Sequence, residues 1–116
     1  MRRDPRAFLS DVIEAGHAIL QAVAGIGLDD YCDTRLIRSS VEREFTIIGE
    51  ALTQLSQRDS ELFAQIEQAP QIITFRNKLA HEYSKVNSQL VWGIIETDLP
   101  MLVERCSQLL SQLNEV

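Results

Sequence analysis

Most of the side chains that could do chemistry in this chain fall in one run, Arg76-Asn77-Lys78-Leu79-Ala80-His81-Glu82-Tyr83. An arginine, an amide and a histidine lie within six residues, in a protein that has only two histidines. A guanidinium holds phosphate oxygens through a planar fork of N–H donors. An imidazole exchanges a proton near neutral pH. Together they are the smallest set that can cleave a phosphodiester. Arg and His five apart also occur by chance in many helices, so the elements around the run must decide whether it is a site.

At 116 residues the chain is expected to be a single helical domain spanning 1–116, long enough to bury a real core. Apolar content of 45% is ordinary for a folded protein. Cys32 and Cys106 are far apart and lack metal-ligand spacing, so they read as reduced, incidental thiols of a cytoplasmic protein. The start, Met1-Arg2-Arg3-Asp4-Pro5, is basic, but no apolar stretch of a secretory signal follows it. No apolar run approaches the roughly 20 residues of a membrane span, so no membrane contact is expected.

A net charge of −6 argues against wrapping a nucleic-acid duplex, which depends on many phosphate-neutralising cations. The charge is unevenly placed, however. Between residues 70 and 90, Arg76, Lys78 and Lys85 face Glu82 alone. An acidic body with a basic patch suits a short, local RNA or nucleotide contact, with Lys78 and Lys85 as candidate phosphate contacts.

Only helical periods persist along the chain. Phe8, Val12, Ala15, Ile19 and Val23 mark a first helix, with Asp4 as N-cap and Pro5 at its first position. Gly25-Ile26-Gly27 ends it. A second helix is predicted from about Asp33 to Gln57, its inner stripe being Ile37, Val41, Phe45, Ile48, Leu52 and Leu55. A loop with a short helical turn covers Arg58–Gln68. Pro70 opens a shorter helix that carries the run. The last helix is predicted from about Ser88 to Asn114, with a seam of Ile95, Leu99, Leu102, Cys106, Leu109 and Leu113 and a kink at Pro100. No β-type alternation and no internal repeat appear. The expected architecture is all-α, an antiparallel four- to five-helix bundle.

At about 100° per residue, Ile72, Phe75, Leu79 and Tyr83 share one face of the motif helix, and Arg76 borders it. Asn77 and His81 lie on the opposite, polar side. An arginine at the edge of a core face is unusual unless it is paired or meets a second subunit. Arg76 and His81 would stand roughly 140° apart in an ideal helix. Three resolutions are open: the helix ends near His81, the long arginine curls round, or a second protomer completes the site. Tyr83 falls about 20° from Arg76 on the same projection.

The other candidates read as structural. His17 lies opposite the Phe8 stripe. His81-Glu82 lacks the second histidine a zincin needs, and no metal or cofactor is expected. Gly49 reads as a point of close helix contact. Glu42, Arg43 and Glu50 read as bundle or interface ion pairs, and Trp92 as a core or interface anchor.

The run resembles the R-X4-6-H motif of the HEPN superfamily, in which a polar residue follows the arginine, as Asn77 does here. The longer form Arg76-X4-His81-X-Tyr83 is similar more narrowly to the HepT toxins, which pair with a minimal nucleotidyltransferase antitoxin of the MntA type. Two further stretches agree: Val41-Glu42-Arg43-Glu44-Phe45-Thr46-Ile47-Ile48-Gly49-Glu50-Ala51 with the second helix of that family, and Val91-Trp92 with Leu99-Pro100 with its last. The likeness spans about residues 5–110. One departure is Gln68-Ala69-Pro70-Gln71, where the family often has an aromatic-rich segment with a tryptophan.

The resemblance implies a HEPN-like bundle and a metal-independent endoribonuclease that acts as a homodimer with facing motifs. It implies Arg76 and His81 as the catalytic pair, Asn77 as their support, and Tyr83 as the residue adenylylated by the partner nucleotidyltransferase. The alternative is a non-catalytic helical module that binds such a nucleotidyltransferase or presents its substrate. Growth arrest on expression alone separates the two.

Overall fold

The computed structural model describes residues 3–79 and 87–115, together with the backbone of Ala80 and His81. Seven helices occur among the described residues: α1 (Pro5–Ala22), α2 (Leu28–Asp33), α3 (Arg35–Arg58), α4 (Ser60–Ala64), α5 (Ala69–His81), α6 (Ser88–Glu96) and α7 (Asp98–Asn114). The architecture is the all-α bundle that the periodicity requires, with α2 and α4 as short pieces in the connections.

The starts of these helices follow capping chemistry. The Asp4 carboxylate accepts from the Arg6 N–H at 2.9 Å ahead of Pro5. Asp59 caps α4 by accepting from the Leu62 N–H at 3.0 Å, and Asn87 caps α6 by accepting from Gln89 and Leu90. The Arg6 guanidinium also donates to Asn114, which ties the beginning of α1 to the end of α7.

Burial explains which faces meet. Phe8, Val12, Ala15, Ile19 and Val23 of the α1 stripe are all buried, as are Val41, Phe45, Ile48, Leu52 and Leu55 of α3. α1 packs on α3 and α7, and α5 packs on α3. Gly16 lets α1 approach α7 closely, since a Cβ there would stand 2.4 Å from Val103 Cγ2. Phe45 and Phe75 meet edge to face at 5.0 Å between ring centres, which fixes the face of α5 on α3.

Four details differ from the sequence reading. α2 occupies a stretch read as connection, anchored by one fully buried residue, Tyr31. α3 begins at Arg35 rather than Asp33, because Thr34 is extended. The predicted last helix is two helices, broken at Thr97 rather than kinked. Pro100 cannot donate to the Glu96 carbonyl and its ring crowds it, so α6 ends at Glu96 and Pro100 sits in the first turn of α7. Leu113, predicted in the seam, is 42% exposed because the final turn runs past the core, and Ile37 is only half-buried.

Both cysteines are free. Cys106 is buried in the core, and burial pushes its thiol pKa up to about 12. Tyr31 packs against Trp92 in a tilted contact, 5.5 Å between ring centres. Its hydroxyl is buried without a hydrogen-bond partner among the described residues. Burial, and then the Glu42 carboxylate, push the Tyr31 pKa upward. An unpaired buried hydroxyl lowers stability. Tyr31→Phe is therefore expected to leave stability unchanged or raise it by up to about 1 kcal/mol. Urea denaturation of the two proteins checks this, and a loss above that size would reveal a hydroxyl partner.

No helix among the described residues is long and apolar enough to cross a membrane.

Candidate active site

α3 and α5 build the site. The inner face of α5 is buried through Ile72, Phe75 and Leu79, as the periodicity predicts. That burial fixes the rotation of the helix and so decides where Arg76 emerges. Arg76 leaves α5 at the seam with α3, and its side chain crosses over Gly49. A Cβ at position 49 would stand 2.4 Å from Arg76 Cγ and 2.7 Å from its Cβ. The close contact predicted for Gly49 is thus with the arginine itself.

The guanidinium is held at two points. Nη2 donates to Glu50 Oε1 at 3.3 Å, and Nη1 donates to the Asn77 side-chain oxygen at 3.2 Å. Nε is buried with no hydrogen-bond partner among the described residues. The arginine side chain is 26% exposed, enough for the outer edge of the fork to meet an anion from solvent. Of the ways to place an arginine at a core edge, the chain uses pairing, and the pair is Glu50, which is 26 residues away in sequence. Asn77 reaches Arg76 although it lies on the polar side, because the long arginine curls towards it.

His81 lies on α5, and its backbone is helical. Tyr83 and Lys85 lie outside the described residues. Lys78 is exposed and lines a shallow cleft of about 310 Å³ with Gln71, Thr74, Phe75, Leu90 and Ile94. Leu90 is 47% exposed there, so an apolar surface stands beside the motif helix.

The remaining candidates lie away from the guanidinium. His17 is exposed on α1, and Arg43 is exposed on α3. Burial raises the pKa of Glu42 above the ordinary carboxylate value, and nearby Arg38 works against the rise. Among the described residues no three His, Cys, Asp or Glu side chains gather as metal ligands. Sequence reasoning named Gly49 and Glu50 but did not connect them to Arg76. Their adjacency on the helix that faces the motif was the available signal.

The guanidinium edge can bind one phosphate group, and the same helix carries His81. A family model described as ribonuclease HepT-like matches residues 12–109. A candidate RNase of Methanocaldococcus jannaschii is 29% identical over 101 residues, covering 87% of this chain and 92% of that protein. A candidate RNase of Caldanaerobacter subterraneus subsp. tengcongensis is 26% identical over 95% of this chain and 97% of its own length. A protein of Thermococcus cleftensis named as a probable ribonuclease HepT is 28% identical over 88% of this chain and 92% of its own. No solved structure matches the chain significantly.

Proposed function

Because this chain belongs to the HepT-like ribonuclease family, we propose that it is a metal-independent RNA endonuclease and the toxin of a toxin–antitoxin pair, acting in the cytoplasm. The observation that carries the reading is the presentation of Arg76. Its stem is wedged between two helices, and its guanidinium edge opens to solvent on the helix that carries His81.

The chemistry follows from the groups. His81 takes the proton of a ribose 2′-hydroxyl, and the 2′-oxygen attacks the adjacent phosphorus. Negative charge grows on the non-bridging oxygens, where Arg76 is already aimed. The P–O5′ bond breaks, and an imidazolium returns a proton to the leaving oxygen. The products are a 2′,3′-cyclic phosphate and a 5′-hydroxyl. Asn77 supports the guanidinium, and Lys78 and Lys85 attract the flanking phosphates.

The active form is a homodimer with facing motifs. The exposed Leu90 and the apolar cleft beside α5 support this reading, since such a surface favours a partner. Control falls to an MntA-type nucleotidyltransferase that adenylylates Tyr83. Expression of the chain without that partner tests the reading. The native chain is expected to arrest growth and His81→Ala to permit it. Arrest by both, or by neither, at equal protein levels would contradict it.

A further inference from the structure

Arg76 is placed by its neighbours on α3 as well as by its own helix. Its Cβ, Cγ and Cδ would lie 2.7, 2.4 and 3.0 Å from a methyl group at position 49. Cβ and Cγ are the root of the side chain and cannot swing aside as a flexible tip could. A glycine in a helix interior weakens the helix relative to alanine, so position 49 carries a local cost. The passage of the arginine accounts for that cost. The next residue, Glu50, accepts from Nη2 at 3.3 Å. Its carboxylate is 59% exposed, and exposed pairs of this kind add little stability. Its effect is on direction: with Nη1 on Asn77, it sets the plane of the guanidinium.

We propose that Gly49 and Glu50 are positioning residues for Arg76. Gly49 leaves the channel through which the arm crosses α3. Glu50 fixes the fork so that its remaining N–H groups face the phosphate before substrate arrives. Neither residue needs to touch RNA. The inference rests on the reading of Arg76 as the phosphate-stabilising group. Preoriented donors act on the transition state without reorganising, so their loss falls on kcat more than on KM.

The test is steady-state cleavage of an RNA oligonucleotide by Gly49→Ala, Glu50→Ala, Glu50→Gln and Arg76→Ala, with NMR of the arginine Nε–H groups. Gly49→Ala is expected to lower kcat about 10²-fold, the cost of misplacing a catalytic group by about 1 Å. Glu50→Ala should lower kcat about 10-fold with KM within about twofold. Glu50→Gln, whose amide oxygen still accepts from Nη2, should restore most of the rate. In the parent, the buried Arg76 Nε–H should give a slowly exchanging signal, assigned by its absence in Arg76→Ala and lost in Gly49→Ala. Full activity of Arg76→Ala would overturn the reading of the site itself. An inactive Arg76→Ala beside folded Gly49→Ala and Glu50→Ala proteins of parental kcat would overturn this inference alone. If Gly49→Ala does not fold, the glutamate pair decides: parental kcat in Glu50→Ala, or equal losses in Glu50→Ala and Glu50→Gln, overturns the proposal.

Discussion

Arg76→Ala is expected to lower kcat for RNA cleavage by about 10²–10³-fold, the usual loss when one donor to a developing oxyanion is removed. Arg76→Lys is not expected to rescue it. An ammonium is a point charge that cannot bridge Glu50 and Asn77 while meeting a phosphate edge. The fold should survive the change, because Ile72, Phe75 and Leu79 hold α5 in place independently. Some stability should be lost, about 1 kcal/mol, since the aliphatic stem fills the slot over Gly49. Paired kinetics and thermal melts check both parts. A Tm collapse, with activity lost only in step with unfolding, would mean that Arg76 serves the core alone.

The second large effect concerns Tyr83, two residues after His81 in the sequence. With ATP, magnesium and an MntA-type nucleotidyltransferase, the chain is expected to gain an AMP at Tyr83 and lose its ribonuclease activity. The added phosphodiester carries a negative charge suited to the Arg76 fork, and the nucleoside adds bulk beside His81. The modification is therefore expected to take the place of substrate. Intact-mass and peptide mass spectrometry with a cleavage assay measure the effect. A mass gain mapped to another residue, or full silencing of a Tyr83→Phe protein by the adenylylating activity, would remove Tyr83 from the account.

The long helices were legible because their information is local. Asp4-Pro5 marks a start by capping chemistry, and the stripes of α1 and α3 repeat at helical spacing over four turns or more. α2 was not legible, because six residues with one anchor, Tyr31, define no period. Pro100 announced an interruption, but its form depends on tertiary packing: α6 lies against α2 while α7 lies against α1.

The same divide runs through the site. Arg76 at a core edge signalled a partner, and Gly49 signalled a close approach. That the two signals were one contact depends on the register of α5 along α3, which neither helix encodes by itself. Glu50 read as an ordinary ion pair because its partner is 26 residues away.

The most direct measurement is cleavage of a defined RNA by the purified chain in EDTA, beside His81→Ala, with the product ends identified by mass spectrometry. The parent is expected to cleave at full rate and leave 2′,3′-cyclic phosphate and 5′-hydroxyl ends. His81→Ala, folded by circular dichroism, should be slower by about 10²–10⁴-fold, the range for loss of one acid–base group. Equal rates for the two proteins, dependence of the parent on a divalent ion, or 5′-phosphate ends would contradict the account.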